Sequence, residues 1–431
     1  LDALPLARAE RAAQLLGESL RASLPAGTAA PETVEDLRRA LSPQAFAEVA
    51  VRLSLPAPLA PAAKPTEETT TVTVTLADLR RFLEDPLQGS ARFRLHLRET
   101  QSDDELADRE DELFATDALA RTTRLRESMI RAVLASETAP SLAAVAAVYD
   151  EIGLREELAG RAPAGLFRQA ERERHTAILN KWAEQLGGLA GGGQLHGRVL
   201  HFGRAAENED AREVLPAIAL ELEPALGAGG AQLPLQVELQ GQTSVLLEIP
   251  DQPLASVVFS CRSKDPDEKT RRIKEFLATF VDRVALAAAG LFLGQAGHRG
   301  LLLLTDGDKQ EVDGRGFSAL DPARARKYLA CLVCDMLTGT LGPSGEPTGL
   351  HAYVLPCEAV FRAHSKGTSV ADEAASLCEE YGENNRTRFS TLYGPIRDAV
   401  TRWNPPPAEA AARMAADRFG LFFELLQPGA A

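Results

Sequence analysis

Two short segments carry side chains at a spacing that could hold a metal ion over a phosphodiester: Gly241-Gln242-Thr243-Ser244 and Phe259-Ser260-Cys261-Arg262. Magnesium-dependent hydrolysis in a D…(D/E)-x-K arrangement needs an acid on one strand. The next strand supplies a second acid and, about two residues on, a lysine; the carboxylates bind the ion, which activates water and stabilises the leaving oxygen. Here serine stands at both acid positions, Ser244 and Ser260, and Arg262 stands in place of the lysine. A serine hydroxyl does not hold magnesium tightly, because that cation is bound through carboxylates and phosphates. No catalytic residue is therefore expected, and Ser244, Ser260 and Arg262 mark degenerate positions. The nearby carboxylates Glu248, Asp251 and Asp265 fall at a strand end, a turn and a helix cap, where structural roles account for them. A displaced live site is the alternative.

Other chemistry is weaker. Gly192-Gly193-Gln194-Leu195-His196-Gly197-Arg198-Val199 has the glycines of a phosphate loop, but Arg198 stands at the lysine position and Val199 cannot ligand magnesium. It reads as a flexible join before a strand. Cys331, Cys334, His351 and Cys357 have a spacing compatible with zinc, yet Cys331 and Cys334 lie inside a helical pattern rather than on a tight knuckle. Asp306-Gly307-Asp308 lacks the later ligands of a calcium loop and reads as a hairpin turn. No metal or cofactor is expected in the chain itself.

The whole chain bounds these readings. Its 431 residues suffice for two or three domains, and 45% hydrophobic with 25% charged residues is a soluble globular composition. No apolar run reaches the roughly 18 residues of a membrane span. The odd number of cysteines, five, points to free thiols and a reducing, cytoplasmic setting. A net charge of −14 argues against a broad basic nucleic-acid face, though not against a channel lined by a few arginines. Leu1 and the lack of a signal-like start lead to the expectation of a fragment of a longer chain.

The elements that must position the two segments follow from periodicity. Residues 1–65 read as helices (Leu6–Ser23, Val34–Leu53) followed by a proline-rich linker, Leu55–Lys64. A second part, 66–190, opens with a strand at Thr71–Thr75 and a helix Leu76–Glu84 capped by Thr75 and stopped by Pro86. It passes an acidic loop, Asp103–Asp111, and continues as helices over Thr116–Leu134, Ser141–Leu158 and Ala164–Leu186. In 191–431 the period turns toward two. Strands are expected at Gln194–Gly203 and Ala217–Pro224, a hairpin at Gln236–Leu239 and Ser244–Ile249, and a further strand at Ala255–Cys261. An amphipathic helix then starts at Asp265-Pro266. A hairpin (Leu301–Leu304 with Glu311–Phe317), a helix Ala323–Leu337, a buried strand Tyr353–Leu355 and closing helices Ser390–Trp403 and Ala408–Leu426 complete the α+β reading.

The serial order of these pieces resembles the C-terminal part of the RecC family, the gamma subunit of exodeoxyribonuclease V. The likeness runs from TVTLADLRRFLEDPLQ (Thr73–Gln88) through EDELFATDALARTTRLRESMIRAVLA (Glu110–Ala135), the two strands, the helix ending at Ala287–Gly290, LDPARARKYLACLVCDMLTGTLGP (Leu320–Pro343) and YVLP (Tyr353–Pro356). Thr122 stands where the family has tyrosine, and Leu87-Gln88-Gly89 where it has aromatics. The resemblance implies a degenerate PD-(D/E)XK nuclease-like domain with a large helical insertion and C-terminal helices, kept as a scaffold. It implies partners in the beta (RecB) and alpha (RecD) subunits, which use ATP and magnesium, and contact with single strands of DNA. Candidate strand contacts are Arg92, Arg94, Arg98, Arg168, Arg172 and Arg174. The rival expectations are a live nuclease of the AddB type and a scaffold unrelated to DNA.

Overall fold

In the computed structural model the described residues are 70–95, 114–204, 213–222, 225–226, 232–233, 235–261, 268–291, 297–306, 309–338, 355–384 and 405–427. By its internal contacts the chain divides after Glu68, and all of these residues fall in the second unit, Thr69–Ala431. The expected helices and linker of residues 1–65, the acidic run Asp103–Asp111, the helix Ser390–Trp403 and most of the strand Tyr353–Leu355 lie outside them.

The β-branched run Thr70–Thr75 is strand β1, and Thr75 turns the chain into α1 (Leu76–Glu84). The Thr75 hydroxyl accepts from the Asp78 backbone N–H at 3.1 Å, and the Asp78 carboxylate accepts from the Thr75 N–H at 3.1 Å. This reciprocal capping box satisfies donors the first helical turn would otherwise leave open. Pro86 does more than stop α1: it is the first residue of α2 (Pro86–Leu95), a position where its missing N–H costs nothing. The helical block follows as α3 (Ala118–Leu134), α4 (Leu142–Leu158) and α5 (Gly165–Ala190). Asp117 and Ser141 cap α3 and α4. Gly191, in the left-handed region at φ 58°, ends α5.

Short strands come next: β2 (His196–Arg198), β3 (Leu200–Phe202), β4 (Glu213–Leu215), β5 (Ile218–Glu221), β6 (Ala225–Leu226), β7 (Gln232–Leu233), β8 (Leu235–Gln242), β9 (Val245–Glu248) and β10 (Ala255–Cys261). They lead to α6 (Glu268–Ala288), β11 (His298–Asp306), β12 (Lys309–Phe317), α7 (Pro322–Thr338), α8 (Cys357–Lys366), α9 (Val370–Asn384), α10 (Ala408–Leu425) and β13 (Leu426–Gln427). A five-stranded sheet has the order β1-β8-β3-β4 with β5 also on β8. A six-stranded sheet has the order β13-β12-β11-β10-β9-β2, and β6 pairs β7. The architecture is α+β.

The hairpin expected from Gln236–Leu239 and Ser244–Ile249 does not form. Those segments are β8 and β9, and they belong to different sheets: β8 pairs β1, β5 and β3, whereas β9 pairs β10 and β2. Gly241, at φ 100° near the end of β8, holds a conformation that other residues rarely adopt. A local pattern cannot distinguish such a crossover from a hairpin turn. The choice is made by β1, distant in sequence, which pairs in parallel with β8 from Thr70↔Leu235 to Thr75↔Gln240.

In the six-stranded sheet β10 and β11 are parallel, in register from Ala255↔Arg299 to Cys261↔Thr305, with α6 as the crossover. Both faces of these strands are covered, so they read as near-continuous apolar runs. On one face Val245, Leu247, Val257, Phe259, Leu301 and Leu303 pack with Leu125 and Met129 of α3, Val145 of α4 and Leu179, Trp182 and Leu186 of α5. On the other, Leu246 and Leu302 join α6, the five-stranded sheet and helices α1, α7, α8, α9 and α10 in a larger core. Gly300 sits where α6 crosses β11; a Cβ there would run into Thr279 and Phe276.

Candidate functional site

Ser244 lies in the crossover from β8 to β9, and its backbone N–H donates to both oxygens of Asp282, at 3.1 and 3.2 Å. Asp282 belongs to α6 and is fully buried. Arg80 of α1 forms an ion pair with the same carboxylate and also donates to the Gln242 carbonyl at 3.4 Å. Ser244 thus lies at a junction where α1, α6 and the crossover between the sheets meet on one buried charge.

Ser260, 1% exposed, stands near the carboxyl end of β10 and donates to Glu275 Oε1 of α6 at 3.3 Å. A carboxylate therefore lies beside each serine, and both come from α6. They are seven residues apart, about 10 Å along the helix axis. Two carboxylates sharing one magnesium bring their oxygens within about 4 Å of each other. This pair does not fit a shared ion, and the hydroxyls of Ser244 and Ser260 supply no substitute. Among the described residues, no group of three or more His, Cys, Asp or Glu is placed to hold a metal. Arg262 lies outside the described residues.

The opposite face of β10 presents different chemistry. Arg126 of α3 donates through Nε to the Phe259 carbonyl at 2.7 Å, and Thr122 Oγ1 lies 3.8 Å from Cys261 Sγ. Gln185 of α5 donates to the carbonyls of Leu304 and Glu311, each at 3.1 Å, tying α5 across β11 and β12. These contacts come from the helical block, which closes over the carboxyl ends of the parallel strands.

A family model described as the RecC C-terminal domain matches residues 71–343, from β1 past the end of α7, including both serine positions. The chain belongs to this RecC family. The family points to a subunit of RecBCD, exodeoxyribonuclease V, and so to DNA repair. No curated protein matches the chain. Among solved structures, the crystal structure of SSO0001 is 11% identical, covering 61% of this chain and 87% of that one at a TM-score of 0.17, too low to bear on fold or function.

In this RecC-family chain the candidate arginines fall into distinct settings. Arg92 is half-buried on α2; Arg98 and the side chain of Arg94 lie outside the described residues. Arg168 is held by Glu157, and Arg172 makes a two-pronged pair with Asp150 at 2.6 and 2.7 Å. Arg174 is exposed, donates only to the Ala170 carbonyl at 3.3 Å, and has no carboxylate partner among the described residues. Sequence reasoning passed over Arg121 and Arg126, which also have no carboxylate partner among the described residues, because a helix with many charges reads as a solvated face. The signal that could have found them is the flanking of Thr122 within the quoted LARTTRLR segment.

Between these helices lies a buried polar cluster. Arg124 pairs with Glu171 at 3.3 Å with both side chains buried, and Glu171 also accepts from the Thr116 N–H and hydroxyl, each at 2.8 Å. The Tyr149 hydroxyl and His175 Nδ1 are 2.7 Å apart. Burial, partly offset by Glu171 and reinforced by Arg124, Arg121 and Arg174, lowers the His175 pKa to about 4; burial likewise raises that of Tyr149.

The remaining candidates are structural. Cys357 is buried at the start of α8, donates to the Glu84 carbonyl at 3.0 Å, and has its thiol pKa pushed up by burial, the reverse of an activated nucleophile. Cys331 is exposed and Cys334 half-buried, both on α7, while His351 lies outside the described residues. Ser256 and His298 are 3.0 Å apart, but both are buried, and burial holds the His298 pKa at about 3. The Gly192–Val199 stretch follows α5 and contains β2, and Asp306 ends β11 at its connection to β12.

Proposed function

We propose that this chain is a non-catalytic, DNA-handling and scaffolding part of exodeoxyribonuclease V, acting in double-strand-break repair and homologous recombination in the cytoplasm. One observation carries the reading. At the two positions where magnesium chemistry needs acids the chain has Ser244 and Ser260, and the nearest carboxylates are drawn into packing. Asp282 holds α6 to Arg80 and to the crossover; it is committed to the frame of the domain. In this reading a nuclease-like frame persists because its sheet and crossover helix form the core, whereas the acids were dispensable for folding. ATP hydrolysis and magnesium-dependent cutting fall to the beta (RecB) and alpha (RecD) subunits. The net charge of −14 supports a subunit that meets DNA through local contacts rather than a broad basic face.

The test is co-purification. The tagged chain is expressed with the beta and alpha subunits of its own genome, and the eluate is assayed for ATP- and magnesium-dependent exonuclease activity beside the chain alone. Association with activity only in the complex is the expected result. Magnesium-dependent cutting by the chain alone would overturn the reading in favour of an AddB-like nuclease. Neither association nor cutting would leave a scaffold unrelated to DNA.

A further inference from the structure

We propose that β1 is the seam of a homodimer, in which the open edges of β1 from two copies of this chain pair antiparallel about Thr73. The proposal stands apart from the subunit reading. β1 ends the five-stranded sheet: β8 pairs along one side of it, and no strand among the described residues pairs along the other. Thr71 and Thr73 are exposed on one face. On the opposite face Val74 is fully buried, whereas Val72 is only half-buried. An edge strand of this kind offers a row of N–H and C=O groups that another chain can pair with.

Sheets guard their edges with charge, with short strands or with cover. The other edges among the described residues follow that rule. β12 is met by β13 only at Gly316 and Phe317, and the part of it beyond carries Lys309, Glu311, Asp313 and Arg315. β2 is three residues long and ends on Arg198; β4 is three residues long and starts on Glu213; β5 is four residues long and ends on Glu221. β1 has six residues, all threonine or valine, with no charge and no proline. Such β-branched residues favour strand pairing. It is the long edge left unguarded.

The order of the residues selects a second copy as the occupant. Residues 71–75 read Thr-Val-Thr-Val-Thr in either direction. Antiparallel pairing centred on Thr73 therefore sets Thr71 opposite Thr75, Val72 opposite Val74 and Thr73 opposite itself. Opposed residues share a face of the sheet, so each cross-strand pair is Thr with Thr or Val with Val, a stabilising match. A twofold axis through the Thr73 pair brings the same patch of both copies together, as an isologous interface requires. Val72 then lies beside Val74 of the other copy. A foreign strand would need none of this symmetry. Charge does not oppose the seam. Asp78, just past the strand, is engaged by Thr75 and Arg81. Glu238, exposed on β8 opposite Thr73, lies three strand spacings from its counterpart in the second copy. That is about 14 Å, beyond the Debye length of about 8 Å at physiological salt.

The experiment uses the full chain in sedimentation velocity over a concentration series, with circular dichroism as a fold check. A concentration-dependent passage from monomer to dimer is expected. Thr71→Lys with Thr73→Lys places charge on the edge at two exposed positions and is expected to weaken dimerisation about tenfold or more. Val312→Lys, on the already charged edge of β12, is the control and leaves it unchanged. Crosslinking checks the register. Opposed Cα atoms in an antiparallel pair are about 4.5–5.5 Å apart, within disulfide reach. Thr73→Cys is therefore expected to give a covalent dimer on mild oxidation, above the background of the unaltered chain with its own exposed Cys331. Thr71→Cys alone is expected to give none, because its two copies would stand four residues, about 13 Å, apart. A monomer at every concentration, a dimer indifferent to the lysines, or a crosslink at Thr71 and not at Thr73 would overturn the proposal. So would a monomeric chain whose co-purification with beta is lost in the lysine variant, since the edge would then take a strand of that partner.

Discussion

The two faces of the six-stranded sheet treat charge in opposite ways. On the α6 face, Asp282 is wholly buried and closed by Arg80 and the Ser244 N–H, and Glu275 is met by Ser260. On the α3–α5 face, Arg124 and Glu171 neutralise each other inside, Arg126 is half-buried on the Phe259 carbonyl, and Arg174 is exposed without a carboxylate partner among the described residues. The first face has turned polar groups into internal ties. The second pairs its buried charges with each other and leaves Arg174 at the surface. The first kind of face accommodates serine at both positions, because packing there depends on shape and hydrogen bonds.

This contrast can be broken most sharply at Asp282. Asp282→Ala leaves the Arg80 charge and the Ser244 N–H without their acceptor and should cost about 3–5 kcal/mol, seen as a lower urea midpoint; Asp282→Asn, which keeps an acceptor, should cost less. An unchanged midpoint would mean the tie is dispensable. In the helical block, Glu171→Gln strips the buried Arg124 of its counter-charge and should cost about 3 kcal/mol by the same assay, an effect that vanishes if the arginine is solvated in solution.

Acid should weaken the fold through its histidines. His175 and His298 have folded pKa values lowered to about 4 and about 3 from an ordinary 6.5, so between those limits the unfolded chain binds protons that the folded chain does not. Their contribution is complete above about pH 6.5 and declines as the pH falls. Between about pH 7 and about pH 5 the loss is on the order of 2 kcal/mol for each. His298→Gln should flatten the profile; an equally steep one would place the titration elsewhere.

Smaller effects sharpen the picture. Ser260→Ala removes one hydroxyl donor to Glu275 and should cost about 1 kcal/mol, without changing nuclease activity in the assembled complex. Arg172→Gln breaks an exposed pair and should shift stability by less than about 1 kcal/mol; a larger loss would show that the α4–α5 surface is a structural seam.

Much of this was legible in the residues themselves. The cap at Thr75, the helices α3, α4 and α5, the strand Ala255–Cys261 with its following helix, and the hairpin β11–β12 are set by short-range chemistry: side-chain caps, periodicity and turn residues. The two serines were likewise visible, because residue type at a given spacing is read directly from the chain. What the sequence left undetermined is long-range. Whether Gln236–Leu239 pairs with the strand after it or with Thr70–Thr75 depends on a pairing between residues as far apart in sequence as Thr70 and Leu235, where local alternation is silent. Nothing in the sequence singled out Asp282; only the packing of α1 against α6 supplies Arg80 and makes burial of that charge tolerable. Likewise, Arg172 and Arg174 differ in nothing the sequence displays. Asp150 on a neighbouring helix pairs with the first, and no carboxylate among the described residues reaches the second, because side-chain partners are assigned by tertiary contact rather than by spacing along the chain.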